Sequence, residues 1–253
     1  MKKTLLTICL VWMCFSLSAQ KIIDLSGKWS FSIDRQDNGE KEKWFSHTLN
    51  DFINLPGSMP EKLKGDEVTA KTQWTGSLYD SSYYYNPYME KYRKEGNIKF
   101  PFFLTPDKHY VGAAWYQKEV NIPADWKGER ILLFLERPHI ETTVWVNGQK
   151  TGMQNSLCVP HQYDITRYVR PGKCTITIRV DNRIKEINVG PDSHSITDQT
   201  QGNWNGIVGR ICLQTTPKTY FDDIQIYPEP EQKLARVKVV IKGDRKSTRL
   251  NSS

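Results

Sequence analysis

Residues 141–148 read Glu-Thr-Thr-Val-Trp-Val-Asn-Gly, and this short stretch decides the fold class. Thr142 to Val146 is β-branched and aromatic throughout. Such side chains lose rotamer freedom in a helix and fit well on a pleated surface. Asn147-Gly148 follows at once, and both residues accept positive φ at low cost, so the pair predicts a tight hairpin turn. Trp145, in the middle of the apolar run, is expected in the core.

The same grammar recurs outward from this hairpin. Ile131 to Leu135 is a continuous apolar run, a strand near the centre of a sheet sandwich. Downstream, a Pro171-Gly172 turn opens a segment in which Ile176, Ile178 and Val180 alternate with Thr175, Thr177 and Arg179, the pattern of a half-buried strand. Trp29, Phe31 and Ile33 share one face of a first strand, and further strands are expected at 207–213, 221–227 and 235–241. No stretch sustains a 3.6-residue apolar period over three turns, so the prediction is all-β. Its long connections suit a jelly-roll or Greek-key sandwich better than a simple meander.

Two stretches interrupt the strand pattern. Residues 57–109 carry Tyr83, Tyr84, Tyr85 and Tyr88, while 182–206 is polar and holds Gly190, Pro191, Gly202 and Gly206. Loops of this length in a compact domain are more often functional than decorative. The tyrosines suit an aromatic platform for a polysaccharide, or packing of the insertion on its own sandwich, which is the favoured reading.

Composition removes several function classes. Lys2 and Lys3, the apolar run Leu5 to Leu17, and the small residues Ser16, Ser18 and Ala19 follow the plan of a secretory signal. Residues 1–20 are therefore read as a leader that sends the protein to the periplasm or outside the cell. That run is shorter than the ~20 residues of a membrane span, and no later segment is apolar enough to be one. Beyond the leader only Cys158, Cys174 and Cys212 remain, so disulfides are not the scaffold. The histidines (His47, His109, His139, His161, His194) never fall at metal-ligand spacing, so neither a metal nor another cofactor is expected. The net charge of +7 comes from basic residues interleaved with acids, which describes a mixed solvated surface and not a nucleic-acid groove.

Several motifs then occur in order. Leu25-Ser26-Gly27-Lys28-Trp29, Leu55-Pro56-Gly57 and Ala114-Trp115-Tyr116 precede the 141–148 stretch with its following Gly152. Tyr163-Asp164-Ile165-Thr166, Arg179-Val180-Asp181-Asn182-Arg183 and Gly202-Asn203-Trp204-Asn205-Gly206-Ile207 come after it. Together they resemble the sugar-binding domain of family 2 glycoside hydrolases, of the β-galactosidase, β-glucuronidase and β-mannosidase type. The resemblance implies a galactose-binding-domain-like jelly roll over 21–218 and the first strands of an immunoglobulin-like sandwich over 219–243. In the family a (β/α)₈ barrel with two catalytic glutamates follows, beyond the last residue here. Residues 244–253 lack apolar periodicity and read as a non-native or read-through tail.

Retaining glycosidases need two carboxyl groups about 5 Å apart. Glu136, Glu141, Asp181, Asp192 and Asp198 are candidates by type, but nothing in the sequence sets two of them face to face, so no catalytic residue is assigned. The resemblance does give the jelly-roll loops a part in substrate binding. Asp181 and Asn182 stand where a strand runs into the 182–206 loop; a carboxylate accepts from two adjacent hydroxyls and an amide both donates and accepts. The competing role is a turn cap and loop support. Asn203, Trp204 and Asn205 form an indole flanked by amides, suited to cover a pyranose face or to pack against the neighbouring domain. Some relatives carry an Asp three residues before the Asn203 position. Thr200 stands there in this chain, with Asp198 two residues earlier, so Asp198 joins the candidates and the sugar stays unassigned.

Three readings result. The chain is the N-terminal part of an exported glycosidase, a free-standing carbohydrate-binding module, or a structural sandwich with no sugar role. The strands expected after residue 218 favour the first. The partners it implies are a carbohydrate and the remaining domains of the same polypeptide.

Overall fold

The computed structural model describes residues 20–157, 159–185, 190, 192–243 and 248–252. The leader, Gln20 apart, lies outside the described residues, as do Cys158 and Pro191. Strands in chain order are β1 (Ile22–Asp24), β2 (Gly27–Asp34), β3 (Asp51–Leu55), β4 (Gly57–Ser58), β5 (Asp66–Glu67), β6 (Lys108–His109), β7 (Ala113–Ile122) and β8 (Arg130–Pro138). They continue as β9 (Glu141–Val146), β10 (Gln149–Asn155), β11 (His161–Asp164), β12 (Gly172–Asp181), β13 (Gly206–Thr216), β14 (Tyr220–Glu229), β15 (Leu234–Lys242) and β16 (Thr248–Ser252).

Two antiparallel sheets face each other. One runs β10-β9-β12-β7-β2-β3, and the other β1-β13-β8-β11 with β4 paired to β13. Period-2 alternation decides what lies between them. Trp29, Phe31, Tyr116, Val144, Val146, Ile176, Ile178 and Val180 from the first sheet meet Ile131, Leu133, Leu135, Ile207, Ile211 and Leu213 from the second in one buried cluster. Each such side chain contributes about 1.5–3 kcal/mol on leaving water, so this cluster is what closes the sandwich. The hairpin expected at Asn147-Gly148 forms between β9 and β10, with φ of 51° and 77° at its two turn residues. Asn147 also accepts the Thr175 N–H and donates to Tyr168 O, which fixes the turn on its neighbours.

β12 departs from the half-buried expectation, because Thr177 and Arg179 are buried as well. The outer face of the six-stranded sheet is covered by the chain after β2. Trp44 and Phe45 lie on Leu49, Trp115 and Trp145, forming a second, smaller core. Trp145 is therefore buried as expected, but outside the sandwich interior, stacked on Phe45 at 5.1 Å.

Within the 57–109 stretch β4 belongs to the sandwich, and residues 66–109 are an insertion clamped by the β5–β6 pair. Tyr83 is buried and stacks on Phe100 at 4.4 Å, so it packs on the insertion's own rings and not on the sandwich. β14, β15 and β16 form a separate three-stranded sheet. The backbone of 248–252 pairs along β15 although its sequence has no apolar alternation, because an edge strand is held by main-chain hydrogen bonds.

Candidate functional site

β12 ends at Asp181 and β13 begins at Gly206, so the chain leaves and re-enters the sandwich at one end. Every residue singled out for binding lies on that passage.

Asp181 is fully buried, and three cations converge on it: Arg179 at 3.0 Å, Arg183 at 2.6 Å and Lys185 at 2.9 Å. Asp37 bonds Arg179 and Arg183, each at 2.6 Å. Glu141 meets Arg179 at 3.3 Å and Lys185 at 2.9 Å. Among the described residues three positive and three negative groups thus neutralise one another, the condition under which charges are tolerated away from water. Burial pushes the Asp181 carboxyl up, but hydrogen bonds from Arg183 and Lys185 and the Arg179 charge outweigh it and hold the group well below the usual carboxylate range. A general acid needs the opposite shift. Asp181 and Glu141, which share Arg179 and Lys185, are accordingly built as an ion network and not as an acid–base pair. The Asp181 carboxylate also accepts the Arg183 backbone N–H at 3.0 Å, closing a turn at the mouth of the loop.

The amides beyond it are equally committed. Asn182 accepts the Gly112 N–H at 2.8 Å and donates to Tyr110 O at 2.9 Å. Asn205 accepts the Tyr116 hydroxyl at 2.7 Å and donates to Gly112 O and Val180 O at 2.9 and 3.0 Å. Asn203 donates to Asn182 O and Thr75 Oγ1, both at 3.0 Å, while its buried Oδ1 has no hydrogen-bond partner among the described residues. Asp198 accepts the Asn203 N–H and the Thr75 N–H, both at 2.6 Å, and faces His109 Nε2 at 3.3 Å. The structure thus brings Asn182, Asp198, Asn203 and Asn205 together as the internal scaffold of the loop. Gly206 is required there because a Cβ would stand 2.5 Å from Gly57 O, where β4 pairs with β13.

Trp204 differs from its neighbours. It is half-buried, and its ring lies on that of His139 at 4.5 Å with 21° between the planes. His139 is buried, its Nε2 has no hydrogen-bond partner among the described residues, and burial outweighs the pull of Asn203 and Asp198 to push its pKa down to about 4. It is therefore neutral at physiological pH. Sequence reading weighed His109 and His139 only as metal ligands and passed over Thr75, since none of the three belongs to a sequence motif.

Beside this scaffold a cleft of about 480 Å³ opens, with Asp34, Arg35, Asp66, His109, Tyr110 and Arg183 among its walls. Arg183 and His109 link it directly to Asp181 and Asp198. Of the other candidate carboxylates, Glu136 is bonded to Arg210, and Asp192 accepts the N–H and hydroxyl of Ser77.

Residues 22–217 match the sugar binding domain of the glycosyl hydrolases family 2, and the chain belongs to that family. Among its relatives, human β-glucuronidase is 25% identical over 87% of this chain, and the Paenibacillus borealis β-glucuronidase is 27% identical over 82%. The chain spans only about a third of those relatives' length, 33% and 31% respectively. The same fold occurs in solved structures of an uncultured Clostridium β-glucuronidase (TM-score 0.56, 22% identity, 90% of this chain and 34% of that one) and the Ruminococcus gnavus enzyme (TM-score 0.59, 17% identity, 93% and 39%).

Proposed function

We propose that this chain is the N-terminal sugar-binding portion of an exported family 2 glycosidase that hydrolyses O-glycosidic bonds, the catalytic carboxylates being supplied by segments beyond residue 253. The observation that carries the reading is the family match over 22–217 in a chain spanning a third of its hydrolase relatives. The Asp181 network agrees with it, because the carboxylate it offers is held ionised and enclosed. In this reading Trp204 and the cleft beside Arg183 face the sugar, while Asp181, Asn182, Asp198, Asn203 and Asn205 hold those surfaces in place. The exposed apolar side chains of β14 and β15, such as Phe221, Ile224 and Ile226, begin a following immunoglobulin-like domain that the rest of the polypeptide completes.

The test is hydrolysis of a panel of chromogenic β-glycosides by the longest protein that contains this chain, with a β-glucuronide first because the relatives cited are β-glucuronidases. Cleavage of one substrate, with none by residues 21–243 alone, is the expected result. A long protein that hydrolyses nothing overturns it.

A further inference from the structure

The 66–109 insertion places its rings in two opposite ways. Trp74, Tyr83, Phe100, Phe102 and Phe103 pack on one another, with Tyr83 and Phe100 almost wholly buried. Around this small core Tyr79, Tyr84, Tyr85 and Tyr88 remain 52%, 47%, 72% and 85% exposed. Tyr83 donates its hydroxyl to Tyr92 O at 2.8 Å, and Tyr88 follows a turn closed by Asn86 Oδ1, so the exposed rings stand on an anchored base.

That base is tied to the loop of the candidate site. Asp198 bonds Thr75, Asp192 accepts both the N–H and the hydroxyl of Ser77, each at 2.6 Å, and Asn203 reaches Thr75 Oγ1. The tyrosine-bearing turn thus flanks the 192–206 passage as one piece with it.

We propose that this turn is a second glycan-contact surface, on which Tyr79, Tyr84, Tyr85 and Tyr88 stack against pyranose rings of an extended chain lying beyond the sugar held at the candidate site. This rests on the glycosidase reading above. Two observations select a glycan over a protein partner. At ~200 Å² per tyrosine the exposed rings offer roughly 500 Å², short of the ~800 Å² each partner contributes to a stable protein interface. The rings share the segment with Asp80, Ser81, Ser82 and Asn86, which place hydroxyl, amide and carboxylate groups beside flat amphipathic faces, a composition suited to polyols.

The experiment uses the full-length protein and its Tyr85→Ser/Tyr88→Ser variant, two exposed positions whose change leaves the ring core intact. Both are run in native gels containing soluble xyloglucan, arabinogalactan or polygalacturonan, and assayed on a small aryl glycoside. The expected result is retardation of the wild type by at least one polysaccharide, weakened about tenfold in the variant, with aryl-glycoside turnover unchanged. Equal retardation of both proteins, or none of the wild type, overturns the proposal. So does a fall of several degrees in the variant's melting temperature, which assigns the tyrosines to an interface within the polypeptide. Because retardation is read without hydrolysis, a protein that binds glycan through these rings but cleaves nothing separates failure of the glycosidase reading from failure of this one.

Discussion

Thr75 and Asp198, 123 residues apart, are bonded in both directions: Asp198 N donates to Thr75 O at 3.1 Å, and Thr75 N donates to Asp198 Oδ2 at 2.6 Å. The two long interruptions of the strand pattern are therefore one unit. Asp198→Ala removes the acceptor of two backbone N–H groups, those of Thr75 and Asn203, and leaves both without their partner. Hydrogen bonds to a charged group are worth about 1.5–3 kcal/mol each, so for the two a loss of roughly 3–6 kcal/mol is expected, read as a lower urea midpoint with unchanged slope.

Asp181→Asn leaves Arg179, Arg183 and Lys185 facing a neutral amide, with Arg179 almost wholly buried. Removing one partner from a buried ion set costs about 3–5 kcal/mol. The pH dependence gives a second check. Because the folded-state pKa of Asp181 is depressed, its contribution is complete above the ordinary carboxylate value of 3.8 and falls as pH drops below it, where the unfolded chain takes up the proton first. Urea midpoints measured from pH 5 down to pH 2.5 should decline less steeply in the Asn variant.

His139 titrates in a different window. Its pKa is pushed from 6.5 down to about 4, so between those values the unfolded chain binds a proton that the folded one refuses. Stability then rises with pH across that window, by about 3 kcal/mol in all. His139→Phe keeps a flat ring under Trp204 and removes the titration, so the difference between variant and wild-type stability should change by that amount between pH 7 and pH 4.

At Gly206, φ is 145° and a Cβ would lie 2.5 Å from Gly57 O and 2.8 Å from Ser58 Cα. Both obstacles are backbone, so Gly206→Ala must separate β4 from β13. A loss of about 3 kcal/mol or more is expected, visible as a lower thermal midpoint by circular dichroism.

Local chemistry was sufficient for much of this protein. The β-branched run before Asn147-Gly148 specified its hairpin, and the alternation at Ile176, Ile178 and Val180 specified the strand, because side-chain period and turn conformation are properties of a few consecutive residues. The family motifs were legible for the same reason. What the tertiary structure alone decided is which polar groups face inward. Asp181 and Asn182 read equally well as sugar contacts or as loop supports until Arg179, Lys185, Gly112 and Tyr110 were seen to occupy their polar atoms. Trp145 was expected in the core and is buried, but which core was decided by the chain around Trp44, which makes a separate one for it on the outer face. Tyr83 and Tyr85 stand two residues apart in sequence, one buried and one 72% exposed. A carboxylate, an amide or a phenol carries the same chemistry in either setting; its partners arrive from segments up to 146 residues away, as Asp37 reaches Arg183, and only the folded chain brings them within bonding distance.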